Sequence, residues 1–393
     1  MGLPLESSTL IRLLPAVPLL LAVSVTALPA QDAPARRLVE TFRIDATVHD
    51  MDRVGGVAVS AAGRVAVTQP RDGHVLIFPP TGQPVVFGRR GGGPGEFRSY
   101  SELGWRGDSL WIADGALKRV TVLGPDGAVL RTTPYPASDA FERTPGLVDR
   151  RATGISALRM NPRGDLLLRM QAIPRAAAEN PGPGRVDVLH ALVEFTSRGA
   201  TGVRLELPDT DPPSCRVEGS EKAGYFWSAF IPHCPKPAYA LSPDGTQVVV
   251  LTPAEDGAYT LVSRRAGSAL TVNRRLRAEQ VRIPPASLEE LRSAFVSNTG
   301  LQPGMRNAYR DMTFPTHYPP FRSVLLALDG WIWIEQDLDP DTHRWLVLSP
   351  DAMPAFELVM PARVKLKVVS RDEIWAVVPD VDDLEHVMRY RVE

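Results

Sequence analysis

A short phrase recurs six times in this chain, and it restricts the possible folds more than any other feature. A turn carrying Gly or Asp is followed at once by a short apolar strand. It reads GRVAV at 63–67, DSLWI at 108–112, GDLLL at 164–168, GTQVVV at 245–250, GWIWI at 330–334 and DEIWA at 372–376. The anchors are 45, 56, 81, 85 and 42 residues apart. Self-similarity on this scale marks a repeat architecture, and the shortest intervals match one four-stranded propeller blade of about 40–50 residues. The longer intervals correspond to a blade plus an insertion.

The content of a unit agrees. Residues 100–135 read as strands at 101–105, 110–113, 118–123 and 128–132, the last preceded by the turn Gly124-Pro125-Asp126-Gly127. The unit before it reads as strands at 57–60, 64–68, 74–78 and 84–87. Four short strands with regularly spaced turns form a meander. The last unit supplies only three strands, at 364–369, 373–378 and 385–392. The segment LVETFRIDATV at 38–48 can provide the fourth, and this pairing removes two sheet edges at once. The expected fold is therefore all-β: a six-bladed β-propeller of four-stranded antiparallel blades whose N-terminal strand closes the last blade. One short helical insertion is expected at 287–295, after Pro284-Pro285, with Ser287 and Glu290 at capping-box spacing and Leu288, Leu291 and Phe295 on one face. In blade four the position two after Gly245 is Gln247, so its apolar run starts one residue late.

Composition narrows the setting. The 44 basic residues almost balance the 45 acidic ones, without the basic stripe of a nucleic-acid binder. Residues 1–30 read as a secretory signal peptide: a short region ending in Arg12, an apolar run at 13–27 broken by Pro15 and Pro18, and small-residue cleavage sites at Ala27 or Ala30. No later stretch is long enough to span a bilayer. The mature chain, 31–393, is then one propeller domain with insertions at 208–237 and 283–320, periplasmic or secreted, and expected to be a monomer. Cys215 and Cys234, an even pair in an exported protein, read as a disulfide closing a loop in the first insertion.

The phrase FGRRGGGPGEF at 87–97 resembles the G-x-x-G-x-G-P-G-E-F linker between blades of NHL-type and related bacterial six-bladed propellers. DSLWIAD at 108–114, RVTVL at 119–123 and Asp126-Gly127 fit the same repeat. The resemblance is good over 54–133, weakens through blades three to five and returns at 330–334 and 374–378. It implies a six-bladed, often exported propeller. Some relatives of this type are enzymes and many are binding modules.

Other motifs read as scaffold. The glycines at 91–95 are followed by a strand, and Pro94 removes a donor, so they suit a connection between blades better than a phosphate cradle, with Glu96 bonding local backbone. Trp111, Trp333 and Trp375 each fall three residues after an anchor, as packing residues between blades would. Asp337, Asp339 and Asp341 have D-x-D-x-D spacing, but Thr342 and Leu348 stand where a calcium loop needs Gly and Glu. No G-x-S-x-G or H-E-x-x-H occurs.

The loops leading into the innermost strands converge around a propeller's channel. Here they offer Arg53, Arg98, Tyr100, Arg159, His233, Lys236, His317, Tyr318 and Arg322, a cationic and aromatic set suited to an anionic or carbohydrate-like ligand. The expected function is a non-catalytic binding or scaffold module without a cofactor, its ligand a small molecule, a glycan or a protein. The alternative is a metal-dependent hydrolase or lyase of lactonase-like type, drawing on Asp52, Glu102, His233 and His317. A third reading is a docking platform built on the disulfide-pinned insertion and the helix.

Overall fold

The structure, a computed structural model, describes residues 28–29, 34–180, 186–220 and 226–393. The expected leader, 1–30, lies outside the described residues apart from Leu28–Pro29, a two-residue strand running parallel to Thr271–Arg277.

Six four-stranded antiparallel blades follow one another along the chain. Blade one is Val57–Val59, Val65–Gln69, His74–Phe78 and Val85–Phe87. Blade two is Glu102–Arg106, Ser109–Asp114, Arg119–Leu123 and Val129–Pro134. Blade three is Arg150–Met160, Leu166–Pro174, Leu189–Thr196 and Gly199–Glu206. Blade four is Ala238–Leu241, Gln247–Pro253, Tyr259–Arg265 and Thr271–Arg277. Blade five is Ser323–Leu326, Ile332–Asp339, Thr342–Leu348 and Pro354–Pro361. Blade six is Lys365–Val369, Glu373–Pro379 and Glu385–Val392, completed by Leu38–Ile44, which pairs from Leu38 opposite Val392 to Ile44 opposite Val387.

Hydrophobic burial closes the ring. Six apolar clusters lie at the six interfaces between neighbouring blades, from one–two round to six–one. Each of the three recurrent tryptophans sits in one of them: Trp111 between blades two and three, Trp333 between five and six, Trp375 between six and one. Trp111 and Trp333 are fully buried, so the recurring position is a wedge between sheets. The late start of blade four also has a cause. Gln247 is buried, donating to Ser263 Oγ at 2.9 Å and accepting from Arg265 at 3.0 Å, so a satisfied amide stands where other blades place an aliphatic group. Glu96 holds the glycine-rich connection, accepting from the Gly93 N–H at 2.7 Å.

The insertions pack on each other. Between blades three and four the strands Arg216–Ser220 and Phe226–Phe230 pair as a hairpin. Between blades four and five lies the helix Pro285–Ser297, followed by a second, Pro303–Asp311, that the sequence pattern did not indicate. The first helix starts at Pro285 with no side-chain cap, so Ser287 and Glu290 form no capping box. Its apolar face, Leu288, Leu291 and Phe295, packs with Ala229, Trp227 and Tyr309 in a seventh cluster, with Phe295 stacked on Tyr309 at 4.0 Å.

The expected disulfide joins Cys215 to Cys234 across a separation of 19 residues at the base of the hairpin. Serine at both positions is expected to destabilise this insertion by about 3 kcal/mol, the loop-closure entropy of a loop this size. Hydrogen exchange at 216–220 and 226–230 measures it; unchanged protection in the double variant would mean that packing alone holds the hairpin.

Candidate functional site

The loops leading into the innermost strands of blades one and two carry backbone N–H groups that no ladder partner reaches. The second and third strands of the blades supply acceptors instead. Asp114 accepts from the Arg98 N–H at 2.8 Å, Glu385 from Val54 at 2.6 Å and Thr68 Oγ1 from Gly56 at 2.7 Å. A Cβ at Gly56 would lie 2.4 Å from a terminal methyl of Leu103 of the neighbouring blade, so a larger residue there would have to displace that side chain.

The loops so held frame a central cavity of about 480 Å³. Its lining draws on the innermost strand of every blade, including Val57, Glu102, Arg159, Leu241, Leu325 and Lys367. Most of the wall is apolar, interrupted by four charged residues, Glu102, Arg159, Asp244 and Lys367, of which Asp244 accepts from Ser242 and Thr246 within its own turn. Glu102 accepts from Arg159 at 2.7 Å. Burial pushes the Glu102 carboxyl up, against the opposing pull of Arg159. Lys367 donates to the Gly55 carbonyl at 2.9 Å and forms no ion pair among the described residues. Burial, then the like charge of Lys365, pushes its ammonium down. Lys365 is paired instead with Glu385 at 3.1 Å. The Tyr100 hydroxyl oxygen is buried without a hydrogen-bond partner among the described residues, and burial raises its pKa.

Lys367 also has an unusual backbone setting. Opposite Glu373–Pro379, Leu366 pairs with Ala376 and Val368 with Trp375. Lys367 is therefore the extra residue of a β-bulge. Such a residue has no cross-strand partner and leaves its strand in a direction that the regular pleat does not allow.

A second group of charges lies at the rim of blade five. His343 donates from Nδ1 to Glu335 at 2.7 Å and from Nε2 to Asp337 at 3.0 Å. Both carboxylates and the imidazole are largely buried. These bonds hold the His343 pKa up, at about 9. Burial alone would raise Glu335 and Asp337, but the His343 bonds, with help from Ser323 and Arg322, keep both low. Arg322 donates to Asp337 at 2.9 Å, and Ser323 to Glu335 at 2.6 Å. His233 approaches the same corner. Its backbone is left-handed at φ 53° beside the disulfide, its ring meets Tyr318 edge-on at 4.9 Å, and burial lowers its pKa.

The residues singled out from the sequence thus fall into three places. Tyr100 and Arg159 line the cavity. His233, Tyr318 and Arg322 gather at the rim of blade five. Arg53, Arg98, Lys236 and His317 are exposed and outside the cavity lining. Lys236 pairs with Asp211 at 2.8 Å, and His317 bonds Thr316 at 3.0 Å. Asp52 pairs with Arg71 rather than facing the cavity. Asp337 belongs to the rim network, and Asp339 accepts from the Asp341 N–H at 2.8 Å, as a hairpin tip does. Among the described residues no group of three or more His, Cys, Asp or Glu side chains is arranged to hold a metal ion. Lys367 was not anticipated. Its sequence signal is the pair Lys365-Leu366-Lys367 inside an innermost strand, where charge is uncommon.

Comparison of the chain with known proteins finds likeness to solved structures alone. No family model matches it, and no curated protein does. A Bacteroides fragilis protein provisionally described as exported is similar over 94% of this chain and 97% of its own, at 12% identity and a TM-score of 0.46. The PQQ-bound aldose sugar dehydrogenase of Streptomyces coelicolor shares 11% identity over 92% of this chain and 100% of its own, at a TM-score of 0.40. Virginiamycin B lyase of Staphylococcus aureus shares 11% identity over 91% and 99%, at 0.39. The class defined by the fold and the cavity is a six-bladed β-propeller with charged residues in its central cavity.

Proposed function

We propose that this is an exported binding protein that holds a small organic anion in its central cavity. The observation that carries the reading is Lys367, a cation facing the cavity that has no ion-pair partner among the described residues. A charge withdrawn from water without a counter-ion is costly, and a bound anion would remove that cost. Arg159 is already paired with Glu102, which leaves Lys367 as the cation in the lining without an ion-pair partner among the described residues, and the apolar wall suits a ligand with a carbon skeleton. Arg53 and Arg98, exposed residues that precede the innermost strands of blades one and two, would raise the local attraction for an anion. Export is supported by the leader-like composition of residues 1–30 and by the disulfide, which suits an oxidising compartment. No helix among the described residues is long and apolar enough to cross a membrane.

Calorimetric titration with lactate and with phosphoglycolate tests the reading. Saturable binding is expected, weakening with salt, and Lys367→Met is expected to weaken it about 10- to 100-fold, the worth of a charged hydrogen bond. Binding that is absent, or equal in the variant, would overturn the proposal.

A further inference from the structure

The position of Lys367 supports more than electrostatic attraction. Five of the chain's 44 basic residues are lysines, at 118, 222, 236, 365 and 367, and all the others are arginine. Two of those five stand on one innermost strand. Arginine would attract an anion equally well, but its guanidinium stays protonated. Only lysine can present a neutral amine. The bulge gives Lys367 alone a departure from the pleat, and the cavity lining includes it but not Lys365. Lys365 is held by Glu385, so Lys367 has a second cation close by and no anion bonded to it. A desolvated lysine beside another cation is the arrangement that frees an amine for attack on carbonyl carbon.

We propose that Lys367 captures a carbonyl-bearing organic anion, such as an α-keto acid, as an imine. The Nζ lone pair adds to the carbonyl carbon, and the carbonyl π pair moves to oxygen, giving a carbinolamine. The nitrogen loses its proton, the oxygen leaves as water after protonation, and a C=N bond replaces C=O. The balance is amine plus carbonyl to imine plus water, with no net oxidation. Glu102 faces the same cavity, close enough to Lys367 for each to feel the other's charge. Its burial favours the protonated form that the departing oxygen needs. Arg159 keeps that carboxyl oriented at 2.7 Å. The ligand's own carboxylate would replace the missing counter-ion of the lysine before the bond forms.

The inference rests on the cavity being an anion site, so the experiment separates the two. The intact protein is incubated with glyoxylate and sodium cyanoborohydride, and reduced adducts are mapped by peptide mass spectrometry. Lactate, which has no carbonyl to condense, is titrated in parallel. Adduct at Lys367 is expected to exceed that at the exposed Lys118 and Lys236 about tenfold or more, as a desolvated amine facing a carbonyl ligand should. Excess lactate should suppress it. Lys367→Arg should abolish the adduct, and a urea unfolding transition like that of the wild type shows that the variant is folded. Lactate binding without selective adduct would overturn the imine and leave the anion site standing. Selective adduct that lactate neither competes with nor binds against would leave the nucleophile and remove the anion site. Uniform labelling of the lysines together with no lactate binding would remove both.

Discussion

A chain that begins at Asp45, and so lacks the strand Leu38–Ile44, is expected to lose cooperative folding, whereas a chain that begins at Gln31 keeps it. The strand pairs with Glu385–Val392 at six positions. At about 0.5–1.5 kcal/mol net per hydrogen bond, that ladder contributes several kcal/mol. Ile44 is buried between blades six and one, and withdrawing its side chain from the core costs about 1.5–3 kcal/mol more. Phe42 sits edge-on to Trp375, a wedge residue at the same interface, so the loss reaches the packing of the ring. The sum is comparable with the 5–15 kcal/mol by which domains are ordinarily stable. Removal also bares the strand Glu385–Val392 as a new sheet edge open to pairing with other chains. Urea unfolding followed by tryptophan fluorescence is the test. A sharp transition at an unchanged midpoint would mean that the ring holds without its closing strand.

Much of this scaffold was legible because each blade repeats a local rule. A turn residue, two or three apolar positions and a second turn recur with the same meaning, and the tryptophans mark the same interface wherever they occur. The site was less legible, for identifiable reasons. The β-bulge at Lys367 depends on register against Glu373–Pro379, and no period in VKLKVV announces it. The second helix, Pro303–Asp311, contains a glycine and few aliphatic residues; its buried Tyr309 finds its partners in Phe295 and the hairpin, far away in sequence. Arg53, Arg98, Lys236 and His317 were grouped by position before an innermost strand. That position fixes where the backbone passes but not whether a long side chain turns inward. The rim of blade five lies between these cases. His343 pairs across the hairpin with Asp337, and Glu335 lies two residues back on the same face, so the triad follows from the strand register once the hairpin is drawn.

That triad is the source of the second large effect. Stability is expected to be highest near neutral pH, and its alkaline decline should depend on His343. The imidazole has a folded pKa of about 9 against 6.5 for the ordinary residue, so folding takes up a proton on it. Its contribution is therefore fully present below about pH 6.5 and is lost as pH rises through about 9. The His343 contribution is on the order of 2 kcal/mol, with the remainder of the stabilisation belonging to its two carboxylate partners. Glu335 and Asp337 act with the opposite sign. Both are held below their ordinary values, so their contribution is present above the normal carboxylate range and disappears as pH falls through the folded pKa values. His343→Leu removes the cation but leaves two carboxylates buried against Arg322 alone. Breaking a buried pair in this way costs about 3–5 kcal/mol. Adding Glu335→Gln and Asp337→Asn should restore part of that loss, because neutral amides no longer need a partner cation. Urea unfolding at pH 6.5, 8 and 9.5 reads both effects. In the wild type the stability should fall across this series; in His343→Leu it should be lower throughout and nearly flat. A variant as steep as the wild type would place the alkaline decline on other groups, and an undiminished stability at pH 6.5 would show that the two carboxylates do not need His343.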